Sequence, residues 1–190
     1  MQTVEIRWHA RGGQGVVLAS RFLAAAALRE GKYFQAFPQF GTERMGAPIV
    51  AFTRVSERPI YLHCAVVEPD VVAVVDPTLL GQVPVLAGLK TGGTVVVNFG
   101  GTDEELRQML GDREEVRLAF VDASRISSDE LGRSIPNTPM VGALARVTGV
   151  VGLDNVLAEF RESMGARFRP QVVEANLRAI RRAFEEVQLA

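Results

Sequence analysis

The sequence predicts an α/β fold: a single three-layer α/β/α domain over residues 1–190, with a mostly parallel sheet and room for one antiparallel hairpin. Three observations carry this. Apolar patterns of period two and period 3.6 alternate along most of the chain, as strand–helix–strand units require. A glycine-rich turn joins the first strand to the first helix. The length of 190 residues suits one well-buried domain and is short for two.

The segment Val4-Glu5-Ile6-Arg7-Trp8-His9 alternates apolar and polar side chains and reads as the first strand. After Gly12, Gly13 and Gly15, an aliphatic run from Val16 to Leu28 reads as a buried helix closed by Gly31. A second strand is expected over residues 32–37. Residues 38–48 fit neither period, and Pro38, Gly41, Gly46 and Pro48 mark them as an ordered but irregular loop. Further strands are expected at 49–55, 71–75, 94–99 and 116–121. The stretch 49–63 reads as two strands without a helix between them, the antiparallel hairpin. Helices are expected at 78–89, 102–110, 127–131, 139–147 and 154–164. A last helix starts at Pro170, a residue suited to a first turn, and runs to about Leu189. Val172, Val173, Leu177, Ile180 and Phe184 give it one apolar stripe, with Arg178, Arg181 and Arg182 outside it.

Composition narrows the class of function. The chain is 47% hydrophobic and 7% aromatic, and its 21 Lys and Arg against 22 Asp and Glu give a net charge of −1. A nucleic-acid binder needs a basic face to displace counterions, so that class is excluded, and nothing draws the chain to an anionic membrane. Met1-Gln2-Thr3-Val4-Glu5 has neither a basic nor an apolar leader segment, and no apolar run would span a bilayer. A cytoplasmic protein is expected. Cys64 is the single cysteine. It can form no internal disulfide, and it cannot by itself hold an iron–sulfur cluster, which takes about four thiolates. It reads as a small, half-buried core residue, and no metal centre is expected in this chain.

The turn Ala10-Arg11-Gly12-Gly13-Gln14-Gly15 lies where a phosphate-binding loop would lie. Glycines let a backbone approach a ligand, and a helix N-terminus offers free N–H groups and the positive end of a dipole. A Rossmann fingerprint needs glycine where Ala10 stands and an acid closing the second strand, which here ends Ala36-Phe37-Pro38. A P-loop needs Gly-Lys-Ser/Thr, which is absent. Two readings stay open: a tight strand–helix turn serving only packing, or a turn that touches a neighbouring subunit or a ligand bound mainly elsewhere.

Three stretches together resemble one family. Ile6-Arg7-Trp8-His9-Ala10-Arg11-Gly12-Gly13-Gln14-Gly15, the run from Gln35 through Phe40-Gly41-Thr42-Glu43-Arg44-Met45-Gly46-Ala47-Pro48 to Ile49, and Asn137-Thr138-Pro139-Met140-Val141-Gly142-Ala143-Leu144 are similar to the blocks of gamma subunits of 2-oxoacid:ferredoxin oxidoreductases. Their order and spacing cover almost the whole chain. Ala10 departs from the family pattern, in which glycine is common, and so bears on how closely a ligand or partner backbone approaches there. Trp8-His9, Phe37-Pro38 and Ala47-Pro48 look more like the pyruvate branch, with branched-chain 2-oxoacids second.

The resemblance implies a complex that oxidatively decarboxylates a 2-oxoacid on thiamine diphosphate and passes electrons through iron–sulfur clusters to ferredoxin. Coenzyme A takes up the acyl group. It implies alpha-, beta- and delta-type partner subunits carrying the thiamine diphosphate, magnesium and clusters, and no cofactor here. The chain agrees: Gly111-Asp112 continues into Arg113-Glu114-Glu115, a solvated helix end and not the Gly-Asp-Gly of a thiamine site. No residue is expected to be catalytic. The ligand- or partner-facing candidates are Arg11, Gly12, Gly13, Gln14 and Gly15 in the turn, Phe40, Gly41, Glu43, Arg44, Gly46 and Pro48 in the loop, and Asn137. Glu43 and Arg44 are adjacent charges in an apolar loop, either a solvated surface pair or an Arg44 that meets a phosphate or carboxylate. His9 reads as packing or capping and His63 as structural. Self-association of the isolated chain, a stand-alone nucleotide-binding dehydrogenase and a pure scaffold are the remaining expectations to weigh.

Overall fold

The computed structural model describes residues 3–39, 45–111 and 115–190. Among them are seven strands in one sheet, ordered β2-β3-β1-β4-β5-β6-β7. The strands are β1 (Val4–Arg11), β2 (Tyr33–Pro38), β3 (Pro48–Ser56), β4 (Val71–Val74), β5 (Thr94–Asn98), β6 (Arg117–Val121) and β7 (Gln188–Leu189). The helices are α1 (Val16–Leu28), α2 (Asp103–Leu110), α3 (Ala123–Leu131), α4 (Asn137–Thr148), α5 (Leu153–Gly165) and α6 (Pro170–Glu186). The central block β1-β4-β5-β6 is parallel, as expected, while β3 and β2 continue it antiparallel on one flank and β7 on the other.

The period-two pattern sorts the strand side chains into two cores, one on each face. Ile6, Trp8, Ala73, Val96 and Ala119 meet α1, α4, α5 and α6 in the larger core. Val72, Val74, Val95, Val97, Leu118 and Phe120 meet Leu106 of α2 in the smaller. Valine-rich strands buried on both sides are what a central parallel sheet requires. On α6, Val173, Leu177 and Ile180 are buried as the stripe predicts, and Val172 and Phe184 are half-buried. The backbones of α4 and α6 come so close at Gly142 that a β-carbon there would lie 2.1 Å from the Ile180 carbonyl oxygen.

Four sequence expectations are corrected. The antiparallel hairpin is β2–β3, pairing Tyr33 with Ser56 and Pro38 with Ala51, and not residues 49–63. After β3 the chain runs without a strand until β4, and Pro59, which has no N–H for a ladder, lies in that stretch. Residues 78–89 are not a helix: a short 3₁₀ turn, Pro77–Leu79, is followed by irregular chain. Pro84 breaks any helix there, and Arg7 claims the carbonyls that a helix would have used, donating from Nη2 to Val85 at 2.9 Å and to Ala87. The last helix ends at Glu186, where Val187 turns extended so that β7 can pair with the free edge of β6. Cys64 is exposed and not in the core, because the strand expected to end at His63, just before it, does not form.

His9 faces the side of β1 away from the larger core. It is buried and accepts a hydrogen bond from Arg7 Nε at 3.1 Å, the packing role anticipated for it. Burial first, and the Arg7 guanidinium second, push its pKa down to about 4.

Two outcomes follow from this packing. Gly142→Ala forces backbone against backbone and is expected to cost about 2–3 kcal/mol, read from the urea midpoint of the isolated chain. His9 is neutral when folded and takes up a proton more readily when unfolded, so its contribution is complete above its ordinary pKa of 6.5 and drains as the pH falls towards 4. The slope reaches about 1.4 kcal/mol per pH unit. His9→Gln, whose carbonyl can accept from Arg7 without titrating, is expected to flatten the stability profile between pH 6.5 and 5. An unchanged slope in that variant would assign the acid sensitivity elsewhere.

Candidate functional site

The parallel strands end together at one rim, and the glycine-rich turn crosses it between β1 and α1. Gly13 and Gly15 take φ of 95° and 73°, conformations that side-chained residues rarely adopt, so the tight reversal needs glycine at both. A β-carbon on Gly15 would also sit 2.5 Å from Asn137 Nδ2. Asn137 was expected to face a ligand or partner. It is buried at the start of α4 and donates to the Gly15 carbonyl at 3.2 Å, so it braces the turn. Ala10 is fully buried in the larger core. The methyl group therefore points away from the rim and does not limit approach to the turn.

Arg11 leaves the rim on the other side and ties three segments together. Its Nε and Nη2 donate to Thr78 Oγ1 at 3.0 and 2.9 Å, Nη2 donates to Gln82 Oε1 at 2.7 Å, and Nη1 donates to the Gly46 carbonyl at 3.1 Å. The backbone adds Gly12 N–H to the Ala47 carbonyl at 2.8 Å and Gly46 N–H to the Gly12 carbonyl at 3.1 Å. Pro48 opens β3 opposite Arg11. The stem of the irregular loop is thus fastened to the turn. Phe40, Gly41, Glu43 and Arg44, the loop residues singled out in the sequence, lie outside the described residues.

At the centre is a carboxylate that the sequence reading did not single out. Asp76, at the end of β4, accepts from Gln14 Nε2 at 2.7 Å on one oxygen, and from the Thr78 N–H and hydroxyl at 2.9 and 2.6 Å on the other. Arg11 Nε lies 3.5 Å away. Burial by itself would raise the Asp76 carboxyl, but the donors from Thr78 and Gln14, with the Arg11 charge, outweigh it and hold the group below its ordinary value. The overlooked signal was the tripeptide Asp76-Pro77-Thr78 closing a valine strand, an acid capping a proline-led turn next to the glycines.

The turn is a ridge between two clefts. One, of about 270 Å³, is polar and lined by Gln14, Asp76, Asn98 and Ser124. The other, of about 420 Å³, is largely apolar and lined by Gly12, Gly13, Gly15, Val16, Val17, Met45 and Ile49. The helix end beside it has no side-chain cap and no acid in its first turn. Its first N–H groups and the positive end of its dipole are therefore open to an acceptor or anion. Among the described residues no three His, Cys, Asp or Glu side chains gather in a way that could hold a metal ion. Nor is any described helix long and apolar enough to cross a membrane.

Residues 5–186 match the family model of pyruvate ferredoxin/flavodoxin oxidoreductase. The chain belongs to this family. It is 47% identical over 186 residues to the common gamma subunit of the pyruvate/ketoisovalerate oxidoreductases of Pyrococcus abyssi, covering 98% of each chain. It is 46% identical over 184 residues to the pyruvate synthase subunit PorC of Thermotoga maritima, covering 97% of this chain and 94% of that one. The crystal structure of the pyruvate oxidoreductase subunit PORC of Thermotoga maritima superposes with a TM-score of 0.86 at 42% identity, covering 100% of this chain and 99% of the other. A 2-oxoglutarate:ferredoxin oxidoreductase from Magnetococcus marinus, with 2-oxoglutarate, coenzyme A and succinyl-CoA bound, shares the fold at a TM-score of 0.78 and 21% identity. This chain corresponds to 30% of that longer polypeptide. The described strand β2, Tyr33–Pro38, carries no carboxylate that could serve as a ribose-binding acid.

Proposed function

We propose that this chain is the cofactor-free gamma subunit of a cytoplasmic 2-oxoacid:ferredoxin oxidoreductase, acting on pyruvate in preference to branched-chain 2-oxoacids. The observation that carries the reading is end-to-end identity of 47% with a gamma subunit shared by pyruvate and ketoisovalerate oxidoreductases. The assembled enzyme oxidatively decarboxylates the 2-oxoacid, transfers the acyl group to coenzyme A and gives two electrons to ferredoxin. Thiamine diphosphate, magnesium and iron–sulfur clusters reside on alpha-, beta- and delta-type partners, because this chain has one cysteine and no Gly-Asp-Gly. The chain acts as a single domain, is inactive alone, and self-associates when made without its partners.

Its contribution is a wall at the rim. The open N-terminus of α1, the glycine turn and the loop stem at Gly46 and Ala47 fastened to it form a surface suited to an anionic group, and coenzyme A brings phosphates. Arg44, on that loop, supplies the charge, and Glu43, Gly41, Gly46 and Pro48 set its place. A guanidinium stays charged when desolvated and offers phosphate a planar fork.

The test is Arg44→Ala in the reconstituted complex. The Michaelis constant for coenzyme A is expected to rise about tenfold, equivalent to about 1.4 kcal/mol, with the fold intact. A tenfold loss of subunit docking instead would place Arg44 against a partner carboxylate. If both stay at wild-type values, the loop is ordinary surface. The isolated chain is expected to be colourless and inactive with pyruvate. Iron–sulfur absorption persisting through purification would overturn the placement of the clusters.

A further inference from the structure

We infer that Asp76 is the positioning residue of the glycine-rich turn, and that Gln14 is the handle by which it holds the turn in shape. The role of the turn in coenzyme A capture rests on the reading above; the tether itself does not.

The argument begins with stiffness. Gly12, Gly13 and Gly15 leave Gln14 as the one side chain between Arg11 and Val16, and two of these glycines sit at positive φ. A segment of this kind has wide conformational freedom and gains little definition from its own sterics. Backbone bonds hold Gly12 and Asn137 holds the Gly15 carbonyl, and the middle of the turn is held through Gln14, which is fixed at both ends. Its Oε1 accepts the Arg11 N–H at 2.7 Å, and its Nε2 donates to Asp76 Oδ2 at 2.7 Å. The backbone bond from Gln14 N–H to the Arg11 carbonyl, at 3.1 Å, closes a small ring.

The carboxylate fixes which way the amide faces. Asp76 has acceptors only, so it selects the orientation of Gln14 with nitrogen toward β4 and oxygen toward Arg11. Were the amide to turn over, two acceptors would oppose each other at Asp76 and two donors at Arg11. Asp76 is itself anchored: its other oxygen is occupied by Thr78, and only about a tenth of its side chain is exposed. The chain of contacts therefore runs from the end of β4, a rigid element, to the backbone of the turn. Pre-ordering of this kind removes an entropy cost from whatever the turn meets.

Asp76→Asn separates this role from the capping of the 3₁₀ turn. Asparagine caps as well as aspartate and can still accept from Thr78. It then presents an amide to Gln14 Nε2, donor against donor. In the double variant Asp76→Asn/Gln14→Glu the polarity of the bond is reversed: the asparagine amide donates to the glutamate, whose other oxygen still accepts the Arg11 N–H.

The experiment is hydrogen exchange and steady-state kinetics on the assembled enzyme. In Asp76→Asn, exchange at the Arg11 and Gln14 amides is expected to quicken at least tenfold, and the double variant is expected to bring it back to within about twofold of wild type. The Michaelis constant for coenzyme A is expected to follow the same pattern, rising about tenfold and recovering, while kcat stays within about twofold. Unchanged exchange in Asp76→Asn overturns the tether, as does faster exchange that the double variant fails to restore. Exchange that rises and recovers while the Michaelis constant never moves upholds the tether and instead overturns the placement of coenzyme A at this turn.

Discussion

The structure depends on one strand having two incompatible faces, both buried. On β1, Ile6, Trp8 and Ala10 enter the larger core, while the intervening residues, Glu5, Arg7, His9 and Arg11, point to the opposite side of the sheet. Among the described residues no helix covers that side over β1 and β3. A buried guanidinium must have its N–H groups occupied, and irregular chain is the material that has carbonyls to spare. Arg7 donates to Val67, Val85 and Ala87, and so draws two loops across the sheet. Arg54, 1% exposed on β3, is matched by Glu5 at 2.7 Å. Arg11, the last rung, does the same work at the rim with Thr78, Gln82 and Gly46.

This polar ladder explains which parts of the fold were legible. The parallel strands and most helices could be read from side-chain period alone, because their partners are apolar and any apolar neighbour will serve. The glycine turn was legible from its residues. Residues 78–89 were misread because their helical pattern is local, whereas the groups that override it belong to Arg7, some 80 positions earlier in the chain. The terminal β7 was missed for a similar reason. Two residues carry no period, and what makes them a strand is the open edge of β6.

The candidate site divides along the same line. Arg11, Gln14, Gly13 and Gly15 were marked by sequence and do meet at the rim. Asn137, a candidate from its block of residues, lies beside the turn and holds the Gly15 carbonyl, a contact that a block of similar residues cannot show. Asp76 went unmarked because a single acid at a strand end acquires meaning only when the turn is brought alongside it.

The rim also concentrates departures from what stability favours. The helix α1 begins at Gly15 without a side-chain cap, a deficit of roughly a few tenths of a kcal/mol. Leu18 is exposed in its first turn, and Met45 stands 88% exposed against Gly13. Thr102 and Glu105 form a full capping box on α2 and Asp122 caps α3, whereas α4, α5 and α6 begin, like α1, without a side-chain cap. The open N–H groups and apolar flank of α1 thus lie beside a network in which buried Asp76 joins Gln14, Thr78 and Arg11 and holds the adjoining turn still, so the rim sets an uncovered helix end against a pre-ordered turn.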